Sequence, residues 1–334
     1  MSQVNALENP ERCGCLGPMK RLCELCESAG SSFVACSRSC LDRHRSAAHA
    51  DSSDDSVARA RAHIRDQNRE RSANGELDAG HRQRLMALIA ELPQAAELCV
   101  FGAGDGSDLD LERLASSFRE IHLVDVDGEA LARARDGQAL RVRERLTLHE
   151  GVEASGVLEH LDAWGDRFPE HAELARVAVE SAQSIVHGLG SSFPAVASIG
   201  LLQQLALPFQ RAWLTSRGNW TALLSTLSAI HLATLAGATR SGGRCLLTLD
   251  VASSRDTPAL AEQCQRSLDE LPEFVLEARA AGGLQLRPDP QRLLAQLSST
   301  GMKSLVEAPR ICQPWLRQQA GDTELVYGLI FGHP

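Results

Sequence analysis

The sequence is poor in lysine and contains no long apolar run. Of its 34 basic residues, Lys20 and Lys303 are the two lysines, and no phosphate-binding P-loop pattern occurs, which argues against P-loop and Schiff-base lysine chemistry. No stretch approaches the roughly 18 consecutive apolar residues that indicate a membrane span. The first 15 residues lack the apolar core of a signal peptide. We therefore expect a cytoplasmic protein with no membrane partner.

The charge balance argues against a nucleic-acid partner. The 334 residues are 43% hydrophobic and 23% charged, which is close to the globular average and corresponds to roughly two domains. Residues 1–75 hold 11 basic and 10 acidic side chains, a net charge of +1, and the remainder holds 23 and 33, a net charge of −10. Proteins that bind nucleic acids normally carry a basic surface that neutralises phosphates.

Cysteines are concentrated near the N-terminus, where six of the ten lie within 28 residues. The potential metal ligands of this segment are Cys13, Cys15, Cys23, Cys26, Cys36, Cys40, His44 and His49. In a cytoplasmic protein such a cluster indicates metal before disulfides, and eight ligands suit two tetrahedral zinc ions. So small a segment buries too little surface to fold alone and would need the metal.

The pattern over residues 13–49 resembles the MYND and HIT families of small zinc fingers, which interleave their ligand pairs. The resemblance implies one zinc on Cys13, Cys15, Cys36 and Cys40, and a second on Cys23, Cys26, His44 and His49. A single zinc on Cys23, Cys26, Cys36 and Cys40 is the alternative. In these families the module is a closed structural site that binds proteins or peptides, so the resemblance implies a docking role.

Residues 51–80 are predicted to form a charged linker. Residues 57–72 are typical of a helix with a thin apolar edge, capped by Ser56, whose arginines face solvent; an RNA-binding arm is the disfavoured alternative. A second helix is predicted over residues 81–92, because Leu85, Leu88, Ile89 and Leu92 recur at helical spacing.

A glycine-rich turn follows the first apolar strand. That strand, Leu98–Phe101, leads into Gly102, Gly104 and Gly106, then a helix, then a second strand that ends in Asp125. The G-x-G-x-G spacing differs from the G-x-G-x-x-G of dinucleotide-binding folds. A carboxylate at the tip of the second strand can accept hydrogen bonds from both ribose hydroxyls, so the pattern favours a nucleoside ligand.

These residues resemble the first motif of class I S-adenosylmethionine-dependent methyltransferases, and the resemblance extends over residues 81–334. Further strands in the expected order are Leu146–His149, Val196–Ile199, Cys245–Leu249 and the closing run ELVYGLIFG. The resemblance implies an α/β, Rossmann-like domain with a mainly parallel seven-stranded sheet. It also implies S-adenosylmethionine as the cofactor.

The same resemblance assigns the cofactor-binding residues. The three glycines would approach the methionine part, Asp125 would bind the ribose, Val126 and Val152 would flank the adenine, and Glu153 would meet its amino group, unless Glu153 is a solvated loop acid. At the tip of the fourth strand, residues 197–200 replace the Asp/Asn-Pro-Pro-Tyr of many family members. This removes the usual signature of methylation on nucleobase or glutamine amino groups.

Two long connections, residues 155–194 and 200–244, are expected to build the substrate pocket. They contain His231 and His160, the candidate general bases, although a packed or surface histidine is the alternative for each. Trp213 and Trp220 would wall the pocket or fill the core.

The leading hypothesis is a methyltransferase that acts on a peptide, protein or peptide-like acceptor. It has a zinc module over residues 1–50 that docks the substrate or partner, a linker over 51–80, and a catalytic domain over 81–334. The alternative is a catalytically silent methyltransferase-like scaffold whose zinc module mediates protein interaction. Modification of nucleic acid through the arginine-rich helix is disfavoured by the charge balance.

Overall fold

The computed structural model divides the chain into two compact units, Met1–Asp55 and Ser56–Pro334. It describes residues 11–12, 21–22, 33–35, 61–62, 64–66, 69, 78–94, 96–160, 164, 169–205, 217–263, 269–319 and 321–334. Within these residues no helix is long and apolar enough to cross a bilayer.

The N-terminal unit contains three short strands. They are β1 (Glu11–Arg12), β2 (Arg21–Leu22) and β3 (Phe33–Ala35), with β3 paired parallel to β1 and antiparallel to β2. The proposed division into a finger of residues 1–50, a linker and a methyltransferase domain stays a prediction.

The second unit is an α/β sandwich around one large sheet. Its helices are α1 (Ala79–Ile89), α2 (Leu111–Ser117), α3 (Gly128–Asp136), α4 (Leu140–Arg143), α5 (His171–Gly188), α6 (Leu201–Gln204), α7 (Arg217–Ala238), α8 (Ala259–Gln263), α9 (Leu271–Ala280) and α10 (Pro290–Leu297). Its strands are β4 (Glu97–Phe101), β5 (Glu120–Asp125), β6 (Leu146–Glu150), β7 (Phe193–Ser198), β8 (Thr239–Ser253), β9 (Glu307–Ile311), β10 (Trp315–Gln319) and β11 (Asp322–Gly332).

The strand order is β10-β11-β8-β7-β4-β5-β6, and β9 also pairs with β11. Strands β4 to β8 are parallel, whereas β11 runs antiparallel to β8, β9 and β10. The order reverses between β4 and β7, which lie side by side, and ligands of open α/β sheets bind at the carboxyl ends of strands beside such a reversal. The glycine turn after β4 lies at this position.

The sheet has eight strands and is mixed, so the expected count of seven is wrong. The expected strands are confirmed in order, with β8 extending well beyond its predicted bounds. Strand β9 carries Pro309 and Arg310, and β10 ends in three polar residues, so neither shows the apolar alternation that indicates a strand. Both pair with β11, whose 11 residues are long enough to contact β10 through Asp322–Val326 and β9 through Leu329–Gly332.

The central strands are buried on both faces, which explains their nearly continuous apolar sequences. Successive side chains of β4 enter different cores: Leu98 and Val100 pack with α1 and α2, whereas Cys99 and Phe101 pack with the core beneath α7. The helix predicted over residues 81–92 is confirmed as α1, with Leu85, Leu88, Ile89 and Leu92 buried.

Within the helix predicted over residues 57–72, the described residues 61–62, 64–66 and 69 are helical. Ile64 is buried in a third core cluster together with Leu158, Trp164 and residues of α5 and α7. Arg69 donates to the Glu129 carboxylate at 2.9 Å, so part of the arginine-rich face contacts the helix that follows Asp125.

Candidate functional site

The three glycines of the turn all have positive φ angles, and each meets a different constraint. A Cβ at Gly102 (φ 71°) would lie 2.9 Å from the Ile199 carbonyl oxygen, so this glycine permits the turn to approach the tip of β7. At Gly106 (φ 73°) a Cβ would lie 3.2 Å from both Ala134 and Leu111. Gly104 (φ 51°) has open space at the same position, and a ligand can approach its backbone there.

Asp125 fixes the glycine turn from the neighbouring strand. The Gly104 N–H donates to its Oδ2 at 2.9 Å, and the Asp127 N–H donates to its Oδ1 at 2.9 Å. Burial raises the pKa of this carboxyl, and the two backbone hydrogen bonds oppose that shift. Each oxygen keeps a lone pair for a further donor, because a carboxylate accepts about four hydrogen bonds.

Two cavities flank the turn. The apolar cavity is lined by Ile64, Phe101, Gly102, Val124, Asp125, Val126, Val152, Glu153, Ala154, Leu158, Leu201, Gln204 and Leu205. The polar cavity is lined by Gly102, Ala103, Gly104, Asp105, Ser107, Asp108, Asp125, Ile199, Gly200, Gln204, Arg317 and Gln319. Gly102, Asp125 and Gln204 line both, so they mark the junction of the two cavities.

Arg317 brings a buried positive charge to the polar cavity from β10. Its guanidinium donates from Nε to Glu324 at 2.7 Å and from Nη2 to Asp250 at 3.1 Å, and its Nη1 lies 3.7 Å from Asp108 Oδ2. Burial alone would lower its pKa, but these three carboxylates raise it, so the side chain stays charged. The charge of Arg317 is thus already balanced by two of its neighbours.

Asp108 lies at the same cavity beside a second buried donor. Trp315 donates from Nε1 to Nδ1 of His81 at 3.0 Å, which leaves the proton of the neutral imidazole on Nε2. Burial lowers the pKa of His81, in keeping with the neutral form. Its Nε2 has no hydrogen-bond partner among the described residues and lies 3.9 Å from Asp108 Oδ1. Asp108 is 44% exposed and therefore faces solvent as well as the cavity.

Three further predicted cofactor residues line the apolar cavity: Val126, Val152 and Glu153. The Glu153 carboxylate accepts from the Ser155 N–H and hydroxyl, both at 2.7 Å, and from the Leu158 N–H at 3.3 Å. Burial raises its pKa. Glu153 therefore organises the loop after β6, and its role toward adenine stays a prediction.

His231, the first candidate base, lies in the core on α7. It is fully buried, its Nε2 forms a 2.8 Å hydrogen bond with the Ser198 hydroxyl, and its ring lies edge-on to Phe101. Burial lowers its pKa to about 4. His231 is not among the described residues that line the two cavities, and it contacts the site through the tip of β7.

We expect acid to destabilise the fold through His231. Its pKa is depressed in the folded state, so the unfolded chain binds more protons below pH 6.5, and stability is lost as the pH falls from 6.5 toward 4. The linkage amounts to about 2 kcal/mol at pH 5. Urea unfolding at pH 7 and pH 5 should show a smaller difference for His231→Gln than for wild type. The exposed His187, replaced in the same way, is the control, and equal pH dependence in all three proteins would contradict the expectation.

The second candidate base, His160, lies at the end of a short 3-10 helix, Leu158–His160, with its ring stacked on Trp164. It too is absent from the described lining of both cavities. Trp164 is buried and donates to Glu173 at 2.8 Å, which is a core role. Trp213 lies outside the described residues, as does the side chain of Trp220 on α7.

The predicted zinc ligands also lie outside the described residues; they are Cys13, Cys15, Cys23, Cys26, Cys36, Cys40, His44 and His49. Elsewhere, within the described part of the chain, no group of three or more histidine, cysteine, aspartate or glutamate side chains could hold a metal ion.

The lining residues that sequence reasoning missed include Ile64, Asp108, Gln204 and Arg317. Ile64 belongs to the thin apolar edge of the linker helix, which was a signal for packing but not for a ligand. Gln204 lies six residues after the end of β7, and this closeness to the carboxyl end of a central strand was the available signal for a site residue. Arg317 lies in a strand that the sequence pattern did not indicate.

No protein-family model and no curated protein matches this sequence. Among solved structures, it is similar to precorrin 8W decarboxylase from Methanobacterium thermoautotrophicum, with 15% identity, a TM-score of 0.37, and coverage of 78% of this chain and 92% of that chain. The N-methyltransferase NodS from Bradyrhizobium japonicum matches with 12% identity, a TM-score of 0.36, and coverage of 76% and 95%. The glycopeptide N-methyltransferase MtfA, solved with S-adenosylmethionine, matches with 16% identity, a TM-score of 0.31, and coverage of 54% and 57%. TM-scores at this level do not establish a shared function, so the functional argument rests on the site itself.

Proposed function

We propose that the chain is an S-adenosylmethionine-dependent methyltransferase that acts on a peptide, protein or peptide-like acceptor. The observation that carries the proposal is the junction of the two cavities. There the N–H of Gly104, a glycine with open space beside its backbone, donates a hydrogen bond to Asp125. Asp125 is a buried carboxylate at the tip of the adjacent parallel strand.

The chemistry of the two cavities supports this ligand. Adenine is a flat apolar ring, and the apolar cavity offers aliphatic side chains such as Val126, Val152 and Leu158. An amino acid end carries an ammonium and a carboxylate, and the polar cavity offers the carboxylates of Asp105 and Asp108 and the guanidinium of Arg317. Asp125, which lines both cavities, would bind the ribose between them.

When bound, the cofactor would supply a methyl group activated on a sulfonium. The residues of the chain would hold that group and the acceptor in line, since positioning is the main protein contribution to such a displacement. Asp125 would orient the ribose, and Gly102 would keep the turn against β7.

We further propose that the cysteine-rich segment of residues 13–49 binds two structural zinc ions and docks the acceptor. The support is the spacing of its eight ligands and the resemblance to MYND and HIT fingers. Elemental analysis of the purified chain should find two zinc ions per molecule. One zinc would favour the single site on Cys23, Cys26, Cys36 and Cys40, and none would end the proposal.

The test of the methyltransferase proposal is isothermal titration with S-adenosylhomocysteine, the product form of the cofactor. We expect binding to one site per chain, and no comparable binding of NAD, whose pyrophosphate suits a different glycine spacing. Absence of S-adenosylhomocysteine binding would overturn the proposal. Binding without methyl transfer to any co-purified protein would favour the catalytically silent scaffold.

A further inference from the structure

Gln204 lines both cavities, and among the described residues no other uncharged polar side chain does so. Gly200, with a positive φ of 54°, turns the chain from β7 into the short helix α6, and Gln204 is its last residue. The Gln204 Nε2 donates to the Gly200 carbonyl oxygen at 3.1 Å. Since that oxygen can only accept, the amide nitrogen faces it, and Oε1 is left to accept from a ligand.

The charge around Gln204 favours a cation. The carboxyl groups of Asp105, Asp108, Asp125 and Glu153 line the two cavities, and Arg317 is the single basic side chain in their described lining. Asp108 lies beside Asp250 and Glu324 around Arg317, so three carboxyl groups meet one guanidinium there. Arg317 offsets these carboxyl groups only in part, because its single positive charge is shared by Asp108, Asp250 and Glu324.

The titratable groups of the site disfavour acceptors that need a strong base. A hydroxyl must lose a proton near the transfer step, and the described lining of the two cavities contains no histidine, lysine, tyrosine or cysteine that could accept it. His231 is fully buried in the core, and the His160 ring stacks on Trp164, so neither lines the two cavities. An amine must also lose a proton before it attacks, but its ammonium form has a pKa of about 10.4, so water can accept that proton without a strong base.

We infer that the methyl acceptor is an aliphatic amine, attracted as an ammonium ion and held by Gln204 Oε1 at the junction of the two cavities. This inference rests on the proposed function. The ammonium gives its proton to water; the nitrogen lone pair then forms the bond to the methyl carbon, while the carbon–sulfur bond breaks and its electron pair stays on sulfur. The positive charge that nitrogen gains with the methyl group is balanced by the loss of the positive charge on sulfur.

The test measures binding and needs no turnover. The full chain, saturated with S-adenosylhomocysteine, is titrated with a short glycine peptide that has blocked termini and one central lysine, and with the same peptide acetylated on that lysine. We expect the free amine to bind at least about 10-fold more tightly, as one hydrogen bond to a charged group allows, and to weaken at high salt. Mass spectrometry after incubation with S-adenosylmethionine should then find the methyl group on the lysine nitrogen.

The test variant is Gln204→Leu, and its matched control is Gln203→Leu, which changes the neighbouring glutamine of α6. Gln203 lines neither cavity. We expect Gln204→Leu, saturated with S-adenosylhomocysteine, to lose about 10-fold in affinity for the lysine peptide. Gln203→Leu, saturated in the same way, should bind the peptide like wild type. Equal binding of the two peptides, no binding of either, or equal behaviour of the two variants would overturn the inference. Failure to bind S-adenosylhomocysteine is a separate result, because it would overturn the proposed function.

Discussion

Replacing Asp125 by alanine is expected to weaken S-adenosylhomocysteine binding by at least about 100-fold, since two hydrogen bonds from ribose hydroxyls to a carboxylate contribute about 1.5–3 kcal/mol each. The substitution also removes the acceptor for the Gly104 and Asp127 N–H groups, so the glycine turn loses its link to β5. Both effects lower the affinity for S-adenosylhomocysteine. Isothermal titration at constant salt measures the loss.

The matched control is Asp136→Ala. Asp136 lies at the end of α3, its side chain is 61% exposed, and its ion pair is with the adjacent Arg135. It should bind S-adenosylhomocysteine like wild type. Circular dichroism at the titration temperature must show that both variants are folded. A folded Asp125→Ala variant with an affinity within threefold of wild type would contradict the assignment of Asp125 to the ligand.

Replacing Gly102 by alanine is expected to lower the free energy of unfolding by about 2–4 kcal/mol. Two costs combine in this variant. A φ of 71° is unfavourable for alanine, and the new Cβ would lie 2.9 Å from the Ile199 carbonyl and 3.1 Å from Leu201. The turn and the tip of β7 would have to separate, so ligand binding should fall as well.

Gly104→Ala separates the two costs, because Gly104 also has a positive φ but has no atom within 4 Å of the added Cβ. We expect it to lose about 1 kcal/mol of stability, from the backbone conformation alone. Urea denaturation gives both values under one set of conditions. If the two variants were equally stable, close approach to β7 would not be the reason for glycine at position 102.

The fold was largely predictable because the central strands are buried on both faces. Sequences such as ELCVF and FPAVAS are apolar throughout, and a glycine turn followed by a helix marks the carboxyl end of β4. The last strands were harder, because β9 and β10 lie at the edge of the sheet and carry proline, arginine and glutamine. Their pairing depends on the length of β11, a tertiary property that local periodicity does not encode.

The site was predictable where one loop builds it. Gly102, Gly104 and Asp125 follow a local pattern and line the polar cavity together, whereas Gly106, from the same pattern, lies against Ala134 and Leu111 and is not in the described lining of either cavity. The histidines illustrate the opposite case, since residue type alone suggested a base at His231, whereas burial on α7 removes it from solvent. Arg317 reaches the site from β10, far along the sequence, and no spacing rule connects it with the glycine turn.

Ile64 extends the proposed ligand-binding unit beyond residues 81–334. It precedes the glycine turn by nearly 40 residues in sequence, yet its side chain forms part of the wall of the apolar cavity and packs in the cluster that includes Leu158. A fragment that begins at residue 81 would keep every glycine of the turn and still leave that wall open to water. Ile64 is therefore part of the proposed binding site, and any shortened version of the protein intended for ligand studies needs to start before it.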